Sequence, residues 1–209
     1  LPNFRQSFLV FYLPNHKTLF IYYYSMPIKT PICDFGKKAD NFELKSTENK
    51  ITSLNDIKGE NGTLVMFICN HCPYVKAVIE DIVDDCKKLE SFGISSLAIC
   101  SNDPINYPED SFENMIKFSD ENKFGFPYLI DETQEVAKRY DAVCTPDFFG
   151  YNKNLELQYR GRIRELNNLK PVRSGDSDLF KAMKQISETG KGPEDQIPSM
   201  GCSIKWSNS

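Results

Sequence analysis

Two cysteines separated by two residues, Cys69 and Cys72, carry the clearest chemical signal in the sequence. They follow an apolar run, residues 64–68, that predicts a buried strand, and they precede an amphipathic segment that predicts a helix. The first N–H groups of a helix have no partner within it, and the helix dipole is positive at that end. A thiolate placed there is stabilised, so its pKa falls from ~8.5 toward ~3.5–7.5. The pattern therefore predicts a pair of sulfurs that can exchange disulfides.

The position of each cysteine relative to the predicted helix suggests its role. If Asn70 caps the helix and Pro73 is its third residue, Cys69 lies exposed outside the helix and Cys72 lies more buried, one turn in. We therefore predict that Cys69 is the nucleophile and Cys72 the resolving thiol. A protonated His71 would favour the thiolate further and make the pair more oxidising. The alternative for His71 is an exposed loop residue without a chemical role.

Two other interpretations of the motif remain open. The cysteines can be core residues that share this spacing by coincidence, or they can bind zinc together with His71. Structural zinc normally needs four ligands, and the sequence contains no second Cys-x-x-Cys or His-x-x-x-His. We therefore predict no metal and no cofactor at Cys69, His71 and Cys72. Haem attachment is excluded because Pro73, not histidine, follows Cys72.

A second candidate site lies ~75 residues later in the chain, at Cys144-Thr145-Pro146-Asp147. Proline at the first residue of a strand is often an ordinary turn. In a thioredoxin-type fold, however, a cis-proline loop faces the reactive sulfurs, and the residue before the proline pairs with an extended substrate. We predict that Thr145 and Pro146 bind substrate in this way. Cys144 is either a third redox partner or a packed small residue.

The apolar patterns predict a mixed α/β sheet with helices on both faces. The predicted order is a β-hairpin followed by β, α, β, α, β, α, β, β and α. The predicted strands cover residues 41–44, 50–53, 64–68, 94–100, 127–130, 147–151 and 155–161. The predicted helices begin after residue 70 and at Pro108-Glu109-Asp110, and two more cover residues 132–140 and 178–189. The tail from residue 190 is expected to be irregular up to residues 202–206.

Bulk composition limits the class of protein. The net charge of −4 argues against a general nucleic-acid binder, which would carry a basic stripe. No run of about 18 apolar residues predicts a membrane span. The seven cysteines, an odd number without a clear export signal, do not suggest a disulfide framework. We therefore expect mostly reduced thiols and a cytoplasmic protein, with Cys33, Cys86 and Cys100 as packed small apolar residues.

The first 25 residues differ from the rest of the chain. They are aromatic and irregular, and polar residues 14–17 interrupt the apolar run without a small-residue cleavage site after it. We predict that Met26 is the natural start, that residues 1–25 are a non-native or disordered extension, and that residues 26–209 form one thioredoxin-like domain. The alternative is a genuine signal peptide and an exported protein.

Several motifs, in order, resemble the peroxiredoxin-like branch of the thioredoxin superfamily, which is grouped with the alkyl-hydroperoxide-reductase/thiol-specific-antioxidant domain. They are Asn41-Phe42-Glu43-Leu44, Cys69-Asn70-His71-Cys72-Pro73-Tyr74-Val75, Ser101-Asn102-Asp103, Phe126-Pro127-Tyr128-Leu129, Asp131-Glu132-Thr133-Gln134, Cys144-Thr145-Pro146-Asp147-Phe148-Phe149 and Gly201-Cys202-Ser203-Ile204-Lys205-Trp206. The resemblance implies a thioredoxin fold with an added N-terminal hairpin, antioxidant or oxidoreductase activity, and Cys69 and Cys72 as the redox pair. It also raises Cys202 as an additional redox thiol. The chain departs from the family in the loop after Gly161, where Arg162-Ile163-Arg164 replaces acidic residues.

The leading hypothesis for function is a thiol–disulfide oxidoreductase that acts on a disulfide-containing protein or a small thiol and uses an external thiol as electron donor. The first alternative is a thiol peroxidase. A peroxidase of this class uses Pro-x-x-x-Thr-x-x-Cys, but the corresponding positions hold Gly62 and Met66 before Cys69, or Val65 and Cys69 before Cys72. The residues therefore favour disulfide exchange. A zinc-binding or redox-sensing protein without enzyme activity is the second alternative.

Overall fold

The computed structural model describes residues 27–31 and 34–207. Its twelve strands are β1 (Ile28–Lys29), β2 (Glu43–Ser46), β3 (Ile51–Ser53), β4 (Gly62–Phe67), β5 (Ile94–Cys100), β6 (Tyr128–Ile130), β7 (Cys144–Thr145), β8 (Asp147–Asn152), β9 (Leu157–Tyr159), β10 (Leu166–Asn167), β11 (Lys170–Pro171) and β12 (Met200–Ser203). Its α-helices are α1 (Pro73–Glu90), α2 (Phe112–Glu121), α3 (Glu135–Arg139) and α4 (Asp178–Thr189), and a short 3-10 helix covers Pro108–Asp110. The predicted order of strands and helices is confirmed along the core of the chain.

Seven strands form the central mixed sheet in the order β3-β2-β6-β5-β4-β8-β9. β4 runs parallel to β5, and β5 runs parallel to β6, because helices connect these strands on the faces of the sheet. The predicted N-terminal hairpin is confirmed as β2 and β3, which pair antiparallel at one edge. β4 is central and buried at every residue, as its continuous apolar run predicts.

Two apolar layers cover the faces of the sheet. Side chains alternate along β4, so Leu64 and Met66 face α1, α2 and α4, whereas Val65 and Phe67 face α3. Full burial of one such side chain contributes roughly 1.5–3 kcal/mol to folding. The amphipathic stripe of α1 is buried in the first layer and consists of Val75, Val78, Ile79, Ile82, Cys86 and Leu89. This packing fixes the N-terminal end of α1 at the carboxyl end of β4, where the two cysteines lie.

The C-terminal tail is more ordered than the sequence predicts. β12 forms a separate three-stranded sheet between β1 and β7, so the prediction of an irregular tail up to residue 202 is wrong at residues 200–201. The pairing brings Cys202 opposite Thr145 and Ser203 opposite Cys144. A strand of four residues with little apolar periodicity forms because distant segments provide its hydrogen-bonding partners.

The predicted helix start at Pro108 is also wrong. Pro108–Asp110 forms a separate 3-10 turn, and α2 begins at Phe112 after Ser111, whose hydroxyl caps it by accepting from the Asn114 N–H. Residue 110 is thereby turned inward rather than left on the first turn of a helix. No helix in the described ranges is long and apolar enough to cross a bilayer. The predictions for residues 1–25, Met26 and Cys33 lie outside the described residues.

Candidate active site

The Cys-x-x-Cys segment lies between β4 and α1, as predicted, but the helix begins later than predicted. α1 starts at Pro73 with Cys72 as its N-cap, so the prediction that Asn70 caps the helix is wrong. Asn70 instead accepts a hydrogen bond from the Tyr128 hydroxyl (3.0 Å) and donates to the Glu109 carbonyl (2.9 Å). Pro73 at the first helical position has no backbone N–H that would need a partner.

Both sulfurs are buried. Cys69 and Cys72 are each 0% exposed, so the predicted exposure of Cys69 is wrong, while the predicted burial of Cys72 is confirmed. Cys69 was expected to be exposed because it precedes the first residue of the helix, and a helix end commonly faces solvent. In the structure, β7, the loop after it and β12 pack over that end and cover the sulfurs.

The loop at Thr145 and Pro146 faces the cysteines, and its peptide bond is cis, as the sequence predicted. The Thr145 hydroxyl lies 3.2 Å from the Cys69 sulfur, and the Thr145 carbonyl accepts a hydrogen bond from the Cys72 thiol at 3.1 Å. One residue therefore contacts both sulfurs through two different groups. The substrate-binding role of Thr145 and Pro146 stays a prediction.

The electrostatics separate the two thiols. Burial, followed by the contact with Cys72 and the negative charge of Asp110, raises the pKa of Cys69. Hydrogen bonds from the thiols of Cys202 and Cys69, together with the Val75 N–H of the first helical turn, lower the pKa of Cys72. In the reduced pair the negative charge is therefore favoured on Cys72 rather than on Cys69, because the Cys202 thiol, the Cys69 thiol and the first helical turn all donate hydrogen bonds to the Cys72 sulfur.

Asp110 is the centre of a buried hydrogen-bond network that the sequence analysis did not find. Its Oδ1 accepts from the backbone N–H groups of Asn70 (2.8 Å) and His71 (3.3 Å). Its Oδ2 accepts from His71 Nδ1 (2.6 Å) and from the Asn102 side-chain amide (2.7 Å). The carboxylate therefore holds both the backbone and the imidazole of the Cys-Asn-His-Cys segment in place.

His71 is held between this carboxylate and an aromatic ring. The hydrogen bond to Asp110 raises the pKa of His71, against the opposing effect of partial burial. The imidazole stacks on Tyr107 with ring centroids 5.6 Å apart, and Nδ1 lies 3.9 Å from the Cys69 sulfur. The side chain is 24% exposed, so His71 connects the buried sulfur to the surface. The alternative of an exposed loop residue is wrong as regards exposure, because the ring is mostly covered, while a chemical role of His71 stays a prediction.

A signal for part of this network exists in the sequence. Asn102 follows β5 just as Cys69 follows the neighbouring parallel strand β4, and the ends of adjacent parallel strands meet at the same edge of a sheet. Asp110 has no such signal, because acids after a proline are equally typical of a helix start. Its burial depends on the 3-10 turn that the structure forms there.

Among the described residues, Cys69, His71 and Asp110 are the only group of three donors close enough to hold one metal ion, with ligand atoms within 4.8 Å of one another. The zinc-type group of the alternative interpretation, Cys69, His71 and Cys72, is not among the described residues that lie close enough to share one ion. Both carboxylate oxygens of Asp110 already accept two hydrogen bonds each, one of them from the imidazole nitrogen that would have to bind the ion. The donors are arranged as a hydrogen-bond network.

The remaining cysteines divide into two groups. Cys86 and Cys100 are buried in the apolar layer, where burial raises the pKa of each to about 12. Cys144 is buried and donates to the Pro146 carbonyl at 3.6 Å, and burial raises its pKa, which favours the packed interpretation. Cys202 differs, because β12 places it beside the Cys-x-x-Cys pair. All six described cysteines are thiols.

With this geometry established, comparison with known proteins decides the family. Residues 35–166 match the AhpC/TSA family. The chain belongs to this family. A search of curated proteins found no match.

Solved structures confirm the predicted thioredoxin fold of this AhpC/TSA family member. An uncharacterized conserved protein from Geobacillus kaustophilus is 41% identical, with a TM-score of 0.83 over 88% of this chain and 98% of that chain. A hypothetical protein from Sinorhizobium meliloti 1021 is 32% identical, with a TM-score of 0.80 over 87% of this chain and 99% of that chain. The thioredoxin domain of a thiol-disulfide oxidoreductase from Bacteroides vulgatus, 17% identical, has a TM-score of 0.53 over 62% of this chain and 89% of that domain, and it shows the fold alone.

Proposed function

We propose that the protein is a thiol–disulfide oxidoreductase whose redox pair is Cys69 and Cys72. The observation that carries the proposal is the contact between the two thiols at the start of α1, with both facing Thr145. Two sulfurs in contact at a helix N-terminus can form a disulfide and reopen it. Membership of the AhpC/TSA family supports a redox activity.

The reaction begins with the negative charge on Cys72. Cys69 attacks one sulfur of a substrate disulfide and passes its proton to the Cys72 thiolate that it contacts. The substrate S–S bond breaks, and the released sulfur leaves as a thiolate. Cys72 then attacks Cys69 in the mixed disulfide, and its proton goes to the second substrate sulfur as that sulfur leaves. The products are two substrate thiols, one of them ionised, and a Cys69–Cys72 disulfide.

Substrate access requires movement, because Cys69 is fully buried. The neighbouring group that reaches the surface is the imidazole of His71, which is stacked on Tyr107. We propose that the entry path lies over this stacked pair, because His71 is the partly exposed side chain nearest to the Cys69 sulfur, with its Nδ1 at 3.9 Å. A disulfide in a flexible protein segment or a small thiol compound fits such a narrow opening, and an external thiol donor returns the pair to the reduced form. The proposed role is antioxidant or redox homeostasis in a compartment that keeps thiols reduced, such as the cytoplasm.

The measurement that tests this proposal is the reduction potential of the Cys69–Cys72 pair, combined with insulin reduction in the presence of dithiothreitol. A potential near ~ −270 mV indicates a reductant, and one near ~ −120 mV an oxidant. Cys69→Ser and Cys72→Ser should each abolish turnover, whereas Cys86→Ser, which changes a buried thiol in the core, should retain it. Full activity in both single variants would refute the proposal.

A thiol peroxidase is the second candidate, and one observation favours it. The sequence has no threonine at the position that peroxidases of this class use, but the structure places the Thr145 hydroxyl 3.2 Å from the Cys69 sulfur. A hydroxyl at this distance can orient a peroxide against the sulfur. Stoichiometric peroxide consumption that is much faster than that of a free thiol, and that falls at least tenfold in Thr145→Val, would support a peroxidase. Insulin reduction without such consumption would exclude it.

A further inference from the structure

The C-terminal strand brings a third sulfur to the redox pair. β12 pairs antiparallel with β7, and Cys202 lies directly opposite Thr145. Side chains of directly opposed residues extend from the same face of a sheet, with Cβ atoms ~4.5–5.5 Å apart. The Thr145 side chain faces Cys69, so the Cys202 side chain faces the redox pair as well. Cys202 is only 7% exposed and packs in the same apolar layer as Cys69 and Cys72.

The contact of Cys202 is with Cys72 in particular. Both the thiol and the backbone N–H of Cys202 hydrogen-bond the Cys72 sulfur. The preceding residue, Gly201, lies so close to the Thr145 carbonyl that a Cβ atom at this position would collide with it. Only glycine allows this approach of β12 to β7, and the approach is what places Cys202 beside Cys72.

We propose that Cys202 is a third redox thiol, which forms a disulfide with Cys72 by exchange with the Cys69–Cys72 disulfide. The inference rests on the proposed function, because the exchange begins from the oxidised pair. The Cys202 thiolate attacks the Cys72 sulfur, the Cys69–Cys72 bond breaks, and the Cys72–Cys202 bond forms. The electron pair leaves with Cys69, which takes up the proton that Cys202 lost. No external oxidant or reductant is consumed.

The exchange has two consequences for the site. It returns Cys69, the sulfur next to His71 and the proposed entry path, to the thiol form while the protein remains oxidised. It also links β12 covalently to α1. Because β12 occupies the backbone edge beside Thr145, where an extended substrate was predicted to pair, this link keeps that edge occupied. The β12–β7 pairing already occupies this edge in the reduced protein, and the Cys72–Cys202 bond would lock it there until a donor thiol reduces that bond.

Cys144 provides the matched comparison. It precedes Thr145 on β7, so its side chain extends from the opposite face of the strand, away from Cys202. Its thiol donates to the Pro146 carbonyl instead. Cys144 is buried like its neighbour Thr145, but its side chain lies on the other face of β7, so we expect it to form no disulfide with Cys72.

The test removes the competing sulfur. Purified Cys69→Ser protein is treated with one equivalent of diamide, and its disulfides are identified by tryptic peptide mapping. The cleavage sites of the sequence put Cys72, Cys144 and Cys202 on different peptides. We expect loss of two thiols per chain and a Cys72–Cys202 peptide. This peptide should be absent from Cys69→Ser/Cys202→Ser and retained in Cys69→Ser/Cys144→Ala. A Cys72–Cys144 peptide, or no intramolecular disulfide in a folded variant, would overturn the inference.

The same oxidation of the wild-type protein tests this inference separately from the proposed function. It needs no variant, so a folding defect cannot confuse the result. With limiting diamide, both Cys69–Cys72 and Cys72–Cys202 disulfides should appear, and their ratio should stay constant after the oxidant is removed. A Cys69–Cys72 disulfide without any Cys72–Cys202 disulfide would overturn the third-thiol role and leave the proposed function intact. Absence of the Cys69–Cys72 disulfide from Cys202→Ser, in which the exchange is blocked, would overturn the proposed function. Gly201→Ala, which forces β12 away from Thr145, should lower the Cys72–Cys202 fraction at least fivefold.

Discussion

Replacement of Asp110 by asparagine isolates the charge at the centre of the site. Asparagine has nearly the same shape, and its remaining oxygen can still accept from the N–H groups of Asn70 and His71. The substitution removes the negative charge and places an amide N–H₂ group near the His71 ring and the Asn102 amide, both of which donate to Asp110 in the structure. The pKa of His71 should therefore fall.

The size of the effect follows from the hydrogen bond that is lost. A hydrogen bond to a charged group contributes ~1.5–3 kcal/mol, and one pKa unit corresponds to ~1.4 kcal/mol. The contact of 2.6 Å between His71 and Asp110 is the largest cause of the raised pKa. Its loss should lower the pKa of His71 by ~1–2 units. Partial burial then dominates, and the imidazole should be neutral at pH 7.

NMR titration of the imidazole nitrogens measures this pKa directly. The chain has two histidines, so His16→Gln leaves His71 as the only signal. Glu109→Gln is the matched control, because Glu109 is the exposed neighbour of Asp110 and contacts the loop through its backbone oxygen. The reasoning is refuted if the pKa of His71 in Asp110→Asn lies less than ~0.3 units below its value in the protein that keeps Asp110. Such a difference is far smaller than the expected fall in pKa.

The same interaction predicts a pH dependence of stability. Because the fold raises the pKa of His71, its protonated form contributes stability that is fully present below the unfolded pKa of ~6.5. This contribution is lost as pH rises through the folded pKa. The difference in unfolding free energy between the wild type and Asp110→Asn, measured in urea, should therefore shrink from pH 6 to pH 9. A constant difference over this range would contradict the assignment.

Two further predictions concern residues that support the site. Burial raises the pKa of Asp85 to about 6, so the folded protein holds a proton there that the unfolded chain releases at lower pH. The wild type should therefore lose stability to thermal unfolding as the pH rises from ~4 to ~6. Asp85→Asn, which can still accept from the Ser177 hydroxyl, should show no such loss. An equal decline in both proteins would exclude Asp85 as its source. Arg160→Ala should lower the unfolding free energy in urea by ~3–5 kcal/mol, because it leaves the fully buried Asp147 carboxylate, now 2.9 Å from the guanidinium, without its charged partner. A loss below ~1 kcal/mol would show that water or another donor replaces Arg160.

Local patterns determined most of the elements. The predicted bounds of β5 and α4 agree with the structure residue for residue, since both carry their signals within a few positions. α4 has an apolar stripe, a capping hydroxyl at Ser177 and Gly190 in the left-handed conformation at its end. The presence of α1 after the redox motif was equally clear. Its first residue was not, because Asn70, a good cap by type, is used by Tyr128 and Glu109 instead.

The active-site chemistry was only partly contained in the sequence. The spacing of Cys69 and Cys72 and the Thr145–Pro146 motif identified the sulfurs and the loop that faces them. The burial of both sulfurs, the charge on Cys72 and the role of Asp110 depend on segments 40 to 130 residues away in the chain. No local pattern reports such contacts.

The sequence by itself therefore determined which residues are apolar, where strands and helices form and which two sulfurs lie at a helix start. Only the tertiary structure decided that Asp110 lies beneath the loop and that Cys202 lies beside Cys72. The physical reason is that periodicity and capping act between residues a few positions apart, whereas the pKa of a buried thiol is set by every charge and donor that the folded chain brings near it.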